Sequence, residues 1–175
     1  MAPTRLCSVS RTDRDADVQW LDDDEEAAWW ALLEVGSGLF DALSADLRRM
    51  ADLTLEDYEV LHLLSAQEHH RIRVGKLADE MLSSRTRLSQ RIDRLTERGL
   101  VGRERCPSDG RAINVVLTDQ GHALLIEVAP LHLDSVRRHV FDHLDRGDVT
   151  AMATGLGKVA EHLHARRSGE AASGS

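Results

Sequence analysis

The sequence predicts a mainly α-helical chain with one small β-sheet of two or three strands. Three observations predict it. Apolar residues recur at helical spacing through most of the chain between residues 22 and 165. Only 3 prolines occur in 175 residues, so little interrupts those helices. Strand-like alternation is confined to residues 101–117, on either side of Asp109-Gly110, a dipeptide that favours tight hairpins.

The first helix starts in the acidic cluster at 22–26, which suits the positive end of a helix dipole. Trp29, Leu33, Phe40, Leu43, Leu47 and Met50 form one stripe, with Trp30, Leu32 and Leu39 off it. A helix apolar on more than one side is covered on more than one side, and in a small chain a partner subunit can supply the cover. Gly36 and Gly38 lower the helix propensity and imply a close crossing or room for a ligand. The second helix begins at Thr54, an N-cap residue with Asp57 three positions on, and runs through Tyr58, Leu61 and Leu64 to about Ala66. A polar turn at 67–70 precedes a short third helix with Leu77, Ala78, Met81 and Leu82.

The fourth helix is capped by Ser83 or Ser84. Leu88, Ile92 and Leu95 make its core stripe. Opposite them fall Thr86, Gln90 and Glu97, flanked by Arg87 and Arg94. Gly99 fits the left-handed position that ends a helix, with Leu100 following. Two strands come next, Val101 to Cys106 and one through Ile113, Val115 and Leu117, joined across residues 107–111. Thr118 caps a helix expected to reach about Leu144, with a kink at Pro130. The last helix carries Val149, Met152, Ala153, Leu156, Ala160 and Leu163 on one face. Residues 1–19 read as a flexible arm and 170–175 as a disordered tail.

Composition narrows the class. The longest apolar run, residues 27–33, is seven long, far below the roughly 18 that a membrane-spanning helix needs. No apolar leader follows Met1, and Cys7 and Cys106 are the only cysteines, so a cytoplasmic, reduced protein is expected. Net charge is −8, but it is uneven. Residues 1–60 hold five Arg against fifteen acids, whereas residues 61–111 hold eleven Arg or Lys against seven. A basic middle in an acidic chain suits a localised polyanion-binding surface.

The order of elements, three helices and then a hairpin, is that of a winged helix-turn-helix, with the fourth helix of the chain as the major-groove reader and the hairpin as the wing. That helix presents Ser84, Thr86, Arg87, Ser89, Gln90, Arg91 and Arg94. Arginine pairs bidentately with guanine, and glutamine with adenine. Arg111 at the hairpin tip suits a narrow minor groove.

From about Trp20 to Leu163 the chain resembles the MarR (multiple antibiotic resistance regulator) transcription factors. The resemblance rests on L-x-x-x-D-Y-E-V-L at 53–61, S-R-T-R-L-S-Q-R-I-D-R-L at 84–95, E-R-G-L-V at 97–101, D-G-R-A at 109–112 and V-V-L-T-D-Q-G at 115–121. It implies a single domain at 20–169. Dimerisation helices at 22–51 and 119–167 would flank a winged lobe at 54–118. The homodimer would bind double-stranded DNA at a pseudo-palindromic operator. It implies that Arg111 reaches the minor groove and that Asp109 pairs with Arg91 or Arg94 to orient the wing. Gly110 stands where the family often carries a second arginine.

The resemblance also implies a small aromatic or anionic effector between the dimer base and the lobe, where Trp29, Trp30, Tyr58, His62 and Arg71 are the candidates; bulky residues at such spacing are more often core. Cys106, beside Arg103 and Arg105, is a candidate redox switch, against the plainer reading of a half-buried strand residue. The histidine pairs 69/70, 139/143 and 162/164 lack the further ligands of a metal set, so no metal and no cofactor is expected. No phosphate loop, nucleophile elbow or zinc-protease motif points to an enzyme. A protein-binding winged helix is the alternative to a DNA reader.

Overall fold

A computed structural model describes residues 18–81, 83–106 and 109–173, without the side chains of Arg85, Cys106, Asp109, Arg111 and residues 167–173. Six helices and three strands are described: α1 (Asp23–Ala51), α2 (Leu55–Ser65), β1 (Arg71–Arg73), α3 (Val74–Glu80), α4 (Arg85–Glu97), β2 (Val101–Cys106), β3 (Asp109–Leu117), α5 (Asp119–His139) and α6 (Arg146–Ser173). The chain divides into two compact units, residues 1–38 and 39–175.

In the first unit, α1 opens on a reciprocal cap. The Asp22 N–H donates to the Glu25 carboxylate at 3.0 Å, and the Glu25 N–H donates to Asp22 at 2.8 Å. That satisfies two of the amides a helix start leaves open. Trp29, Leu32, Leu33 and Val35 are exposed. Trp30 is half-buried, and its indole N–H has no partner among the described residues. The expected arm lies outside the described residues up to position 17.

In the second unit, a continuous core joins Leu43 and Leu47 of α1 to α2, α3, α4, the sheet and the first half of α5. Three caps set the helix starts. Thr54 and Asp57 form a complete capping box at α2 (2.9 and 3.1 Å). Ser84 accepts from the Arg87 N–H at 3.3 Å. Thr118 accepts from the Gly121 N–H at 3.0 Å. Leu88, Ile92 and Leu95 are wholly buried, which stabilises the lobe by roughly 2 kcal/mol apiece. Gly99 adopts φ +70° at the end of α4. Gly121 lets the first turn of α5 lie on the Leu100 carbonyl; a Cβ there would stand 2.1 Å from that oxygen.

The sheet is antiparallel in the order β1-β3-β2. Strand β1 went unread in the sequence beyond the allowance for a third strand, because Arg-Ile-Arg is too short to show alternation. Ile72 alone is buried there, opposite Val115. His69 and His70, just before it, both take positive φ (56° and 53°), a strained route into the strand.

Other boundaries differ from expectation. The stripe of α1 is split: Leu43 and Leu47 are buried, whereas Trp29, Leu33, Phe40 and Met50 are exposed. Helix α5 ends at His139 instead of near Leu144, and a short 3-10 turn at Phe141–His143 follows. It passes through Pro130 as one helix. Helix α6 continues to Ser173, into the stretch read as a tail.

Candidate nucleic-acid interface

Helix α4 presents two different surfaces beside its buried stripe. Toward its N-terminus, Thr86, Arg87 and Gln90 are exposed, and their side chains have no partner among the described residues. Ser84 is exposed and spends its hydroxyl on the cap, while Ser89 is half-buried. Exposed, unpaired hydrogen-bonding groups at the N-terminal end of a helix form the surface that a major groove accepts.

The flank toward α2 is already occupied. The Arg91 guanidinium donates to Asp57 Oδ1 at 2.8 Å and to Thr54 Oγ1 at 2.9 Å, with Glu56 at 3.7 Å, and the side chain is only 16% exposed. The sequence groups Arg91 with the outward-facing residues. The structure turns it inward, because α2 sets a carboxylate and a hydroxyl beside it. Arg94 lies one turn further and stays 57% exposed, with Asp57 no nearer than 4.0 Å. Arg103 of β2 is likewise held, by Asp93 of α4 at 2.7 Å.

The hairpin pairs β2 with β3 from Val101↔Leu117 to Arg105↔Ile113, and its register shifts between Arg105 and Cys106. Asp109 and Arg111 begin β3, but their side chains lie outside the described residues, as does that of Cys106. The partner of Asp109 is therefore not on view, although Arg91 is committed to Asp57.

Of the proposed effector residues in this unit, Tyr58 and His62 come together and Arg71 does not join them. Tyr58 is buried, with the His62 ring stacked at 6.2 Å and the ring of His132 at 4.3 Å. Arg71 stands on β1 facing Glu104 at 3.9 Å. Sequence reading missed His132, which lies on α5 at 9% exposure. Its Nδ1 is buried without a partner among the described residues. Burial, and then the neighbouring His62, push its pKa down, so the ring is neutral near pH 7. Burial pushes the Tyr58 phenol up.

A second polar centre also escaped the sequence. Buried Asp46 of α1 receives the Ser135 hydroxyl and the Arg49 guanidinium, His139 Nε2 at 3.1 Å and Arg138 Nη2 at 3.4 Å. The Ser135 bond leads in holding its pKa below the usual carboxylate range; burial opposes this, and His139 and Arg49 assist. His139 is thus engaged, and His143 bonds the Arg138 carbonyl at 3.0 Å. Among the described residues no group of three or more His, Cys, Asp or Glu side chains is placed to hold a metal. Among them, too, no helix is long and apolar enough to cross a membrane.

Comparison with known proteins agrees with this geometry. The model of the MarR family matches residues 51–112. The crystal structure of AbsC, a MarR family transcriptional regulator from Streptomyces coelicolor, is similar over 85% of this chain and 99% of its own, at 42% identity and a TM-score of 0.79. That of Sco3205 from the same organism, another MarR family regulator and solved in complex with DNA, is similar over 85% and 92%, at 35% identity and a TM-score of 0.80. The transcriptional repressor MprA of Escherichia coli is 36% identical over 73 residues, a stretch that spans 42% of each chain.

Proposed function

The chain belongs to the MarR family of transcriptional regulators, and on that premise we propose that it acts in the cytoplasm as a homodimeric, ligand-responsive repressor that reads a pseudo-palindromic operator through α4. The observation that carries the reading is the division of labour on that helix. Arg91 fastens it to α2, while Thr86, Arg87 and Gln90 stay exposed, with no side-chain partner among the described residues.

On this reading the residues of the lobe divide the work. Gln90 and Arg87 read base edges; Ser84, Thr86, Ser89 and Arg94 hold the flanking phosphates. Arg111 enters the minor groove from the hairpin and Asp109 orients it. Arg91 is a positioning residue. The two α4 helices of a dimer enter successive major grooves about one turn, roughly 10 base pairs, apart. The second chain covers the exposed apolar faces, which include Leu131 and Leu133 of α5 and Leu156, Val159 and Leu163 of α6. Burial of these faces resembles a core divided between two subunits.

An effector acts at the crevice between α2 and α5, where Tyr58, His62 and His132 meet. The buried, unpartnered Nδ1 of His132 supports this reading, since such an atom is stabilised by a partner of complementary polarity. The effector class is a small aromatic or anionic molecule. Binding favours a dimer whose reader spacing does not fit the operator.

The test is selection of bound sequences from a random duplex library at two salt concentrations. The expected product is an inverted repeat with half-site centres one turn apart, bound with an affinity that falls steeply with salt. Recovery of unselected sequences only would overturn the operator reading in favour of a protein-binding winged helix. Gln90→Ala is expected to relax selection at one base position, at a cost of about 1–3 kcal/mol.

A further inference from the structure

A separate cleft lies on the α2 side of α4. The last turn of α1, the α1–α2 turn, the start of α2 and the second half of α4 enclose a cavity of about 240 Å³. Three arginines line it: Arg48 from α1, Arg94 from α4 and Arg98 at the end of α4. Leu53 and Leu95, both buried, form its apolar part.

The charges there do not cancel. Asp57 is the deepest acid, and Arg91 already neutralises it at 2.8 Å. Asp52 is 91% exposed in its side chain and no nearer than 4.0 Å to Arg98. Arg98 donates to the Ala51 and Asp52 carbonyls at the end of α1, which fixes it in place, and its one carboxylate neighbour among the described residues is the exposed Asp52. Arg94 makes only the 4.0 Å approach to Asp57. Arg48 has no ion pair among the described residues.

We propose that this cleft binds a small phosphate- or carboxylate-bearing anion held by Arg48, Arg94 and Arg98. Its volume is below the roughly 300–1,000 Å³ of ordinary ligand pockets, so it takes an anionic group or a short anion, not a whole drug-sized effector. The cleft is distinct from the Tyr58–His132 crevice. An occupant bridges α1 to the reader helix and constrains the tilt of α4. Two sources of the anion share this chemistry: a free small anion and a backbone phosphate of the bound DNA.

The experiment has an arm for each source. In the first, inorganic pyrophosphate is titrated into the DNA-free protein at constant ionic strength, with sodium chloride as compensator. Thermal midpoint and the arginine Nε–Hε resonances are followed. The expected result is a saturable response that Arg48→Gln weakens by about tenfold, the size of one charge-assisted hydrogen bond. Arg48→Gln in chloride alone should melt as the parent does, since the described structure gives that side chain no bond to lose. In the second arm, the salt dependence of affinity for a library-selected duplex is measured. A slope reduced by about 1 in Arg48→Gln, with pyrophosphate inert, assigns the site to DNA backbone phosphate. The proposal is overturned if Arg48→Gln alters neither response, including the case in which pyrophosphate saturates both proteins alike.

Discussion

Helices α4 and α6 each carry apolar residues at helical spacing, and the folded chain treats them oppositely. Leu88, Ile92 and Leu95 of α4 are at most 1% exposed, closed over by α2, α3 and the sheet. Leu156, Val159 and Leu163 of α6 are 44–50% exposed. The difference teaches that periodicity shows which face of a helix is destined for burial, and says nothing of whether the cover comes from the same chain. The lobe finishes its core alone. The last helix leaves its stripe open.

The strongest way to break this comparison is to charge the open stripe. Leu156→Glu with Leu163→Glu should convert the dimer to monomer in sedimentation. It should also weaken operator binding by roughly two orders of magnitude, because two linked half-sites become one. Retention of the dimer would show that the α6 face is not the subunit seam. The converse change, Ile92→Ala, should cost about 3 kcal/mol in urea unfolding by emptying part of the lobe core, with the dimer seam intact.

Arg91→Met sharpens the contrast within α4 itself. It leaves the Asp57 carboxylate without its closest cation, so unfolding should be easier by about 2 kcal/mol. Affinity should fall on all duplexes alike, with base preference kept; a changed preference would mean that Arg91 reads bases.

The smallest effect is in pH. The folded-state pKa of His132 lies below its ordinary 6.5. As pH falls through 6.5 the unfolded chain takes up the proton first, so stability should drop from pH 7 to 5. His132→Leu should flatten that part of the profile. Asp46 acts at the other end. Its pKa lies below the ordinary 3.8, so its contribution is complete above that value and is lost as pH falls below it.

Local signals made most of the fold legible. Thr54, Ser84 and Thr118 are caps whose partners lie three residues away, and Gly99 ends its helix by its own backbone freedom. The outward position of Thr86, Arg87 and Gln90 followed from helical angle alone. What stayed hidden depends on partners distant in the chain. Arg91 reads as one more surface arginine until Asp57, 34 residues earlier, is set beside it. His132 and Asp46 look ordinary until α5 is laid against α2 and α1. Strand β1 has no pattern of its own and exists because β3 offers it an edge.

The inward turn of Arg91 has an evolutionary corollary. The side chain that fastens α4 to α2 is a different one from those left facing outward. Drift at Thr86, Arg87 or Gln90 therefore meets no structural veto, and if these residues read the operator as proposed, the descendants of such a protein after gene duplication are free to acquire new operators while keeping the same scaffold. Drift at Arg91 or Asp57 has no such freedom, since either change must find its complement before the altered lobe is lost to selection.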